Sequence, residues 1–281
     1  MLGGIKVNWN TIPKIDAHVH ILPEENRRSF IKYQGQDCVW AKAELSQYIK
    51  HMDEYNIEKA ILQPTNDAYM YFSARKTNEY LAEIVKKYPN RFLAFADISF
   101  NGSYILDEAP KELEYAIKQL GLSGLKIHPS NLNIDADDLR LIPVLRKAAE
   151  LKVPVMYHAN PCLTGFHDNC APDKINKMIK IFPDIQFITA HMGGMKYLDA
   201  LSGCKWVDIS FILPEFIGLY GLEQTNRILR MFGADRLIFG TDYPEREYKV
   251  YCSILDKMDF TEEEKRKIAY GNIKLVLQIA K

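Results

Sequence analysis

The 281-residue sequence has no excess of either charge: 36 Lys and Arg stand against 36 Asp and Glu. A nucleic-acid-binding protein usually carries a basic excess or stripe, so this balance argues against that class. No stretch approaches the ~18 consecutive apolar residues of a membrane span. Residues Met1 to Asn10 hold one lysine and no apolar run, so a secretory leader is not expected. Cysteine is scarce, and the five residues Cys38, Cys162, Cys170, Cys204 and Cys252 show no Cys-x-x-Cys spacing. That pattern suits reduced thiols in the cytoplasm better than a disulfide framework. No Gly/Ser-rich or Pro-rich linker divides the chain, and no Gly-x-Gly-x-x-Gly follows the first apolar run, which removes the usual dinucleotide fingerprint. A compact protein handling small molecules is what remains.

What is present is an alternation. Apolar runs that read as buried strands begin near Ile15, Lys59, Phe92, Gly124, Val153, Ile185, Trp206 and Leu237. Between most of them lie helical spacings: Leu45, Tyr48, Ile49, Met52 and Tyr55 in one, Leu113, Ala116, Ile117 and Leu120 in another. Pro172 before Ile175, Met178, Ile179 and Phe182 reads as a proline in a first helical turn. Thr261 to Glu264 is a capping-box pattern opening a last helix. Ile21 to Ala43 reads as a long loop, and the sixth unit leaves room only for a short helix over 195–201. Eight strand–helix units in a chain of this length predict one (β/α)8 TIM barrel spanning residues 1–281, in the α/β class, rather than an open sheet.

Polar residues gather where these strands end: Asp16-Ala17-His18-Val19-His20, Lys126-Ile127-His128-Pro129, Tyr157-His158-Ala159-Asn160, Ala190-His191-Met192-Gly193-Gly194 and Gly240-Thr241-Asp242-Tyr243-Pro244. Five of the seven histidines are among them. In a barrel these ends converge on one face, where active sites of the fold are built. His18 and His20 are two apart and share one side of a strand. With a histidine from strand five and a carboxylate from strand eight they make a nitrogen-rich metal set, for which zinc is the favoured divalent ion. A bound water of lowered pKa would then be the nucleophile, with Asp242 taking its proton and His191 serving the substrate or the metal. Gly193 and Gly194 either admit substrate close to the backbone or simply turn the chain.

These five motifs, with Tyr270-Gly271-Asn272-Ile273 near the end, resemble the amidohydrolase superfamily. The likeness is nearest its amidohydrolase-related branch, which includes metal-dependent decarboxylases similar to aminocarboxymuconate semialdehyde decarboxylase. The resemblance implies His18, His20, His158 and Asp242 as ligands of a first metal. It implies His191 as second-metal ligand or catalytic acid/base. In dihydroorotase-like relatives a lysine placed like Lys126 is carboxylated and bridges two metals, whereas one metal is usual in the decarboxylase-like branch. One metal with Lys126 as a free ammonium holding an anionic substrate group is the preferred expectation.

His128 shares the face of Lys126, and Arg27, Arg28 or Arg75 on loops one and two could clamp a substrate carboxylate. Loop two also offers Tyr69 to Phe72, and Cys162, His167 and Cys170 follow strand five without a fourth zinc ligand. Asp208 and Ser210 share one face of strand seven, with no role assigned. The tyrosine and phenylalanine content is compatible with a homodimer. The leading expectation is a metal-dependent hydrolase of a small, anionic amide, lactone or cyclic imide. The alternatives are non-oxidative decarboxylation of an aromatic or unsaturated acid, and a metal-binding scaffold without turnover.

Overall fold

The computed structural model describes residues 8–66, 73–99, 104–160, 168–194 and 203–278. Eight strands run parallel, hydrogen-bonded in chain order: β1 (Lys14–Val19), β2 (Ile57–Leu62), β3 (Phe92–Ala96), β4 (Gly124–Ile127), β5 (Val155–Tyr157), β6 (Phe187–Thr189), β7 (Trp206–Asp208) and β8 (Leu237–Ile238). After β1 come α1 (Glu24–Gln34) and α2 (Leu45–Glu54), after β2 α3 (Ala74–Lys87), and after β3 α4 (Tyr104–Lys118). The short α5 (Pro129–Leu132) and α6 (Ile142–Leu151) follow β4, α7 (Pro172–Ile181) follows β5, and α8 (Leu213–Phe232) follows β7. Three helices end the chain: α9 (Tyr248–Leu255), α10 (Glu262–Arg266) and α11 (Asn272–Leu277).

The sheet closes between its last and first members. The Ala17 amide donates to the Phe239 carbonyl at 3.0 Å, the Asp242 amide to His18 at 2.9 Å and the His20 amide to Tyr243 at 2.7 Å. The architecture is a (β/α)8 barrel, as the alternation of apolar runs and helical spacings implies. Its interior holds Ile15, Ala17, Ile61, Phe95, Met156, Ile188, Trp206 and Ile238, closed below by Ile273 and Val276 of α11. A larger apolar layer joins the strands to the helices, with Tyr48 and Met52 from α2 and Ile175 and Met178 from α7. The capping box at Thr261 forms both of its hydrogen bonds, with Glu264 as the partner.

One strand departs from simple alternation. Asp16 pairs with Ala60 and Val19 with Leu62, so three steps along β1 match two along β2. This bulge re-aims the strand end. Asp16 turns toward Tyr48 of α2 and Tyr248 of α9, while His18 turns toward β4 and β7. Without the bulge Asp16 and His18 would share a face.

The long first loop needs a correction, since it contains α1. That helix buries only Asn26 and Phe30, too few positions to give a readable apolar stripe. Residues 195–201, where a short helix was expected, lie outside the described residues, as do Tyr69 to Phe72, Cys162 and His167. Among the described residues no disulfide is formed by Cys38, Cys170, Cys204 or Cys252. No helix among them is long and apolar enough to cross a membrane.

Packing inside the barrel is tight at Gly124, where an added methyl would lie 2.6 to 2.7 Å from three ring atoms of Phe95. Gly124→Ala is therefore expected to cost about 1–3 kcal/mol through overpacking. A urea midpoint lowered at constant m would register it, and an unshifted midpoint would show that the ring yields freely.

Candidate active site

At the C-terminal ends of the strands, β1 and the turn after β8 meet first. His18 Nε2 and His20 Nε2 lie 3.3 and 3.1 Å from the same oxygen, Oδ1 of Asp242. The Asp242 backbone is left-handed, with φ of 65°, and its amide is tied to His18, which aims the carboxylate inward. From β4, Lys126 brings Nζ to 3.0 Å of His18 Nε2. From β5 and the turn after β6, His158 Nδ1 and His191 Nε2 face each other at 3.1 Å. The His18 ring is 4.9 Å from that of His191 and 5.1 Å from that of His20, so the groups form one cluster. All are buried except His158, which is half-buried.

The ring nitrogens that face away from the centre are committed. His20 Nδ1 reaches the Gln63 carbonyl at 2.8 Å, and His191 Nδ1 the Ser210 carbonyl at 3.1 Å. His158 Nε2 reaches the Asn160 carbonyl at 3.0 Å. A carbonyl only accepts, so each of these nitrogens carries a hydrogen, and in a ring with a single hydrogen the opposite nitrogen offers a lone pair. His158 Nδ1 and His191 Nε2 then oppose two lone pairs, an arrangement that a cation or an extra proton relieves. Together with two imidazole nitrogens converging on a carboxylate oxygen, this donor set fits a divalent metal.

Electrostatics agree with that fit. Burial, reinforced by the Lys126 charge, lowers the His18 pKa to about 3, so the ring is neutral and free to ligate. Burial, reinforced by His128, His191 and Lys126 close by, depresses His158 well below the ordinary histidine value. Burial alone would raise Asp242, but the histidines around it hold its carboxyl well below the usual range. Lys126 is lowered by burial to about 8, with Asp242 and Asp208 resisting the shift.

The structure brings His18, His20 and Asp242 into one group whose potential ligand atoms lie within 4.8 Å of one another. A second such group is His18, His191 and Asp208, and a third is His128, His158 and Cys170. His158 thus faces His191 and stacks on His128 at 3.6 Å, instead of joining the His18–His20–Asp242 group directly. His128 caps α5, accepting from the Asn131 amide at 3.3 Å. The arginines are engaged elsewhere. Arg27 faces Glu44 at 3.5 Å, Arg28 pairs with Glu24 at the surface, and Arg75 bonds Glu112 at 2.7 Å above the Tyr115 ring. Gly193 and Gly194 both have positive φ, 73° and 70°, and so turn the chain.

Two acids lay outside the sequence-based site. Asp208 of β7 accepts from His18 Nδ1 and from the His191 amide, each at 2.9 Å. Asp16 accepts from the Thr241 amide at 3.1 Å and its hydroxyl at 2.7 Å, besides Tyr248, and thereby braces the turn that carries Asp242. Burial raises the Asp16 carboxyl to about 6 against these hydrogen bonds. The signal for both was the spacing alone, Asp16 two before His18 and Asp208 two before Ser210.

The amidohydrolase family profile matches residues 15–278. The chain belongs to the amidohydrolase family. Among curated relatives, gamma-resorcylate decarboxylases from Polaromonas sp. and Rhodococcus jostii are each 24% identical, over 80% of this chain and 84% of theirs. A solved dihydroxybenzoic acid decarboxylase from Polaromonas sp., with bound manganese and 2-nitroresorcinol, superposes with a TM-score of 0.73 at 19% identity. That match covers 96% of this chain and 98% of the other. The 5-carboxyvanillate decarboxylase of Sphingomonas paucimobilis gives 0.72 at 14% identity, over 96% and 100%. These relatives overturn the leading expectation of an amide, lactone or imide hydrolase. Metal ligands could not have decided the matter, because bond hydrolysis and decarboxylation employ the same constellation.

A metal held by this cluster would stabilise the fold by linkage, about 2.7 kcal/mol at a hundredfold excess over Kd. Manganese added to chelator-stripped protein is expected to raise the unfolding midpoint, and Asp242→Ala to abolish the rise. A rise of the same size in that variant would place the ion elsewhere.

Proposed function

We propose that this amidohydrolase-family chain is a divalent-metal-dependent, non-oxidative decarboxylase of a small aromatic carboxylic acid. The observation that carries the reading is the match to gamma-resorcylate decarboxylases over four fifths of the chain, joined to a buried centre with both an imidazole–carboxylate donor set and a cation. His18, His20, His158 and Asp242 would hold one metal, and His191 and Lys126 would serve the substrate. The ion named in two solved neighbours is manganese, which supports manganese over the zinc that ligand type alone favours.

When bound, the metal supplies a Lewis acid that fixes anionic oxygens of the substrate. The chain's own groups supply the rest. Lys126 donates to His18 Nε2 in the metal-free protein. Lys126 would offer its ammonium to an anionic oxygen of the substrate. His191, anchored through Nδ1 on Ser210, has Nε2 directed into the site; that nitrogen first takes up a proton from solvent and then delivers it to the ring carbon bearing the carboxylate. The carbon–carbon bond then breaks, CO2 leaves, and its bonding electrons return to the ring. Asp242 stays ionised between its histidines and balances the local positive charge. No water is consumed.

Manganese-loaded protein incubated with 2,6-dihydroxybenzoate and related hydroxybenzoates is expected to release CO2 in step with the decarboxylated phenol. A product that has gained water, or metal binding without turnover across such acids, would overturn the assignment. His191→Asn should lower kcat by about 10²–10⁴-fold, the usual contribution of a general acid, while leaving manganese affinity nearly unchanged. Loss of the metal in that variant would make His191 a ligand instead.

A further inference from the structure

We infer that Asp208 is a positioning residue that sets the hydrogen of His18 on Nδ1 and so presents Nε2 to the metal. This rests on the reading of His18 as a metal ligand. His20 and His191 have their outer nitrogens pinned by backbone carbonyls, Gln63 and Ser210, which no substitution removes. His18 differs: among its described contacts, the acceptors at Nδ1 are side chains, Asp208 Oδ2 at 2.9 Å and Ser210 Oγ at 3.1 Å.

Asp208 can fill this role because its other oxygen is saturated. Oδ1 accepts the His191 amide at 2.9 Å, the Ser210 amide at 3.0 Å and the Ser210 hydroxyl at 2.5 Å. Two of these donors are backbone N–H groups that cannot rotate away. They fix the carboxylate plane, and Oδ2 is left aimed at His18. The Ser210 hydroxyl gives its hydrogen to Asp208, so its oxygen bridges His18 and His191, 3.0 Å from His191 Nδ1. Carboxylates behind ligating histidines commonly fix tautomer and ring orientation. Here one carboxylate does so for His18 while also holding the backbone of His191.

Asparagine at this position makes a sharp test. The two backbone donors demand an acceptor at the Oδ1 position, which forces the amide NH2 into the place of Oδ2. His18 Nδ1 then faces a donor, and the ring hydrogen moves to Nε2, the nitrogen needed for the metal.

The measurement is histidine side-chain ¹H–¹⁵N NMR on folded, metal-free protein at neutral pH, with the His18 signals assigned by their loss in His18→Gln. Wild type is expected to show His18 as the Nδ1–H tautomer, and Asp208→Asn as the Nε2–H tautomer. Manganese affinity in Asp208→Asn should fall about 10–100-fold. Ser210→Ala, which removes the other oxygen near Nδ1, should keep the Nδ1–H form. An Nε2–H ring in wild type, an unshifted tautomer in Asp208→Asn, or a shifted one in Ser210→Ala would each overturn the inference. The wild-type and Ser210→Ala spectra decide it even if Asp208→Asn does not fold. Wild type showing Nδ1–H yet failing to bind manganese would sink the metal reading and leave the tautomer assignment standing.

Discussion

Closure of the barrel between β8 and β1 is the constraint on which the centre depends. Residue 242 lies more than two hundred residues from the histidines it meets, and only the seam brings them together. Three backbone hydrogen bonds make that seam, and the Asp16 carboxylate fastens the Thr241 turn over it. Because Asp242 is the residue whose amide binds His18, the bond that closes the sheet also places the carboxylate against both imidazoles. Fold and chemistry share a hydrogen bond here.

The cluster gathers two carboxylates, a lysine and four imidazoles with almost no access to water. Such a group is costly to bury unless every member is paired. The pairing is nearly complete: carbonyls take the outer nitrogens of His20, His158 and His191, and Asp208 takes that of His18. The remaining polar atoms point to the middle, where Nε2 of His18 and His20 meets Lys126 and Asp242 and the facing nitrogens of His158 and His191 converge. Outer nitrogens satisfied and ligand atoms converging inside is what a preorganised metal centre looks like.

The eight-unit barrel was legible because buried parallel strands are short apolar runs and the helices between them carry stripes. The histidines and Asp242 were legible because each directly follows such a run. Helix α1 was hidden, since it turns only Asn26 and Phe30 inward. Asp208 was hidden for another reason: its task is to accept from the amides of His191 and Ser210, and backbone amides leave no mark in a sequence. The bulge that separates Asp16 from His18 is equally silent, because it depends on register against β2. Reaction type was unreadable, because the same ligands polarise a carbonyl or grip a carboxylate. Substrate choice belongs to the loops, where no spacing rule applies.

Two consecutive left-handed residues, His191 with φ of 54° and Met192 with φ of 49°, bend the chain beyond β6. Neither is glycine, and such positions cost of order 1–3 kcal/mol each. Their bend directs the His191 amide at Asp208 while the imidazole enters the site. The portability of the centre follows from this. Grafting four histidines, a lysine and two aspartates onto another barrel would copy the side chains but omit the bent peptide that orients them. What is inherited as a unit is a stretch of backbone, and the side chains travel with it.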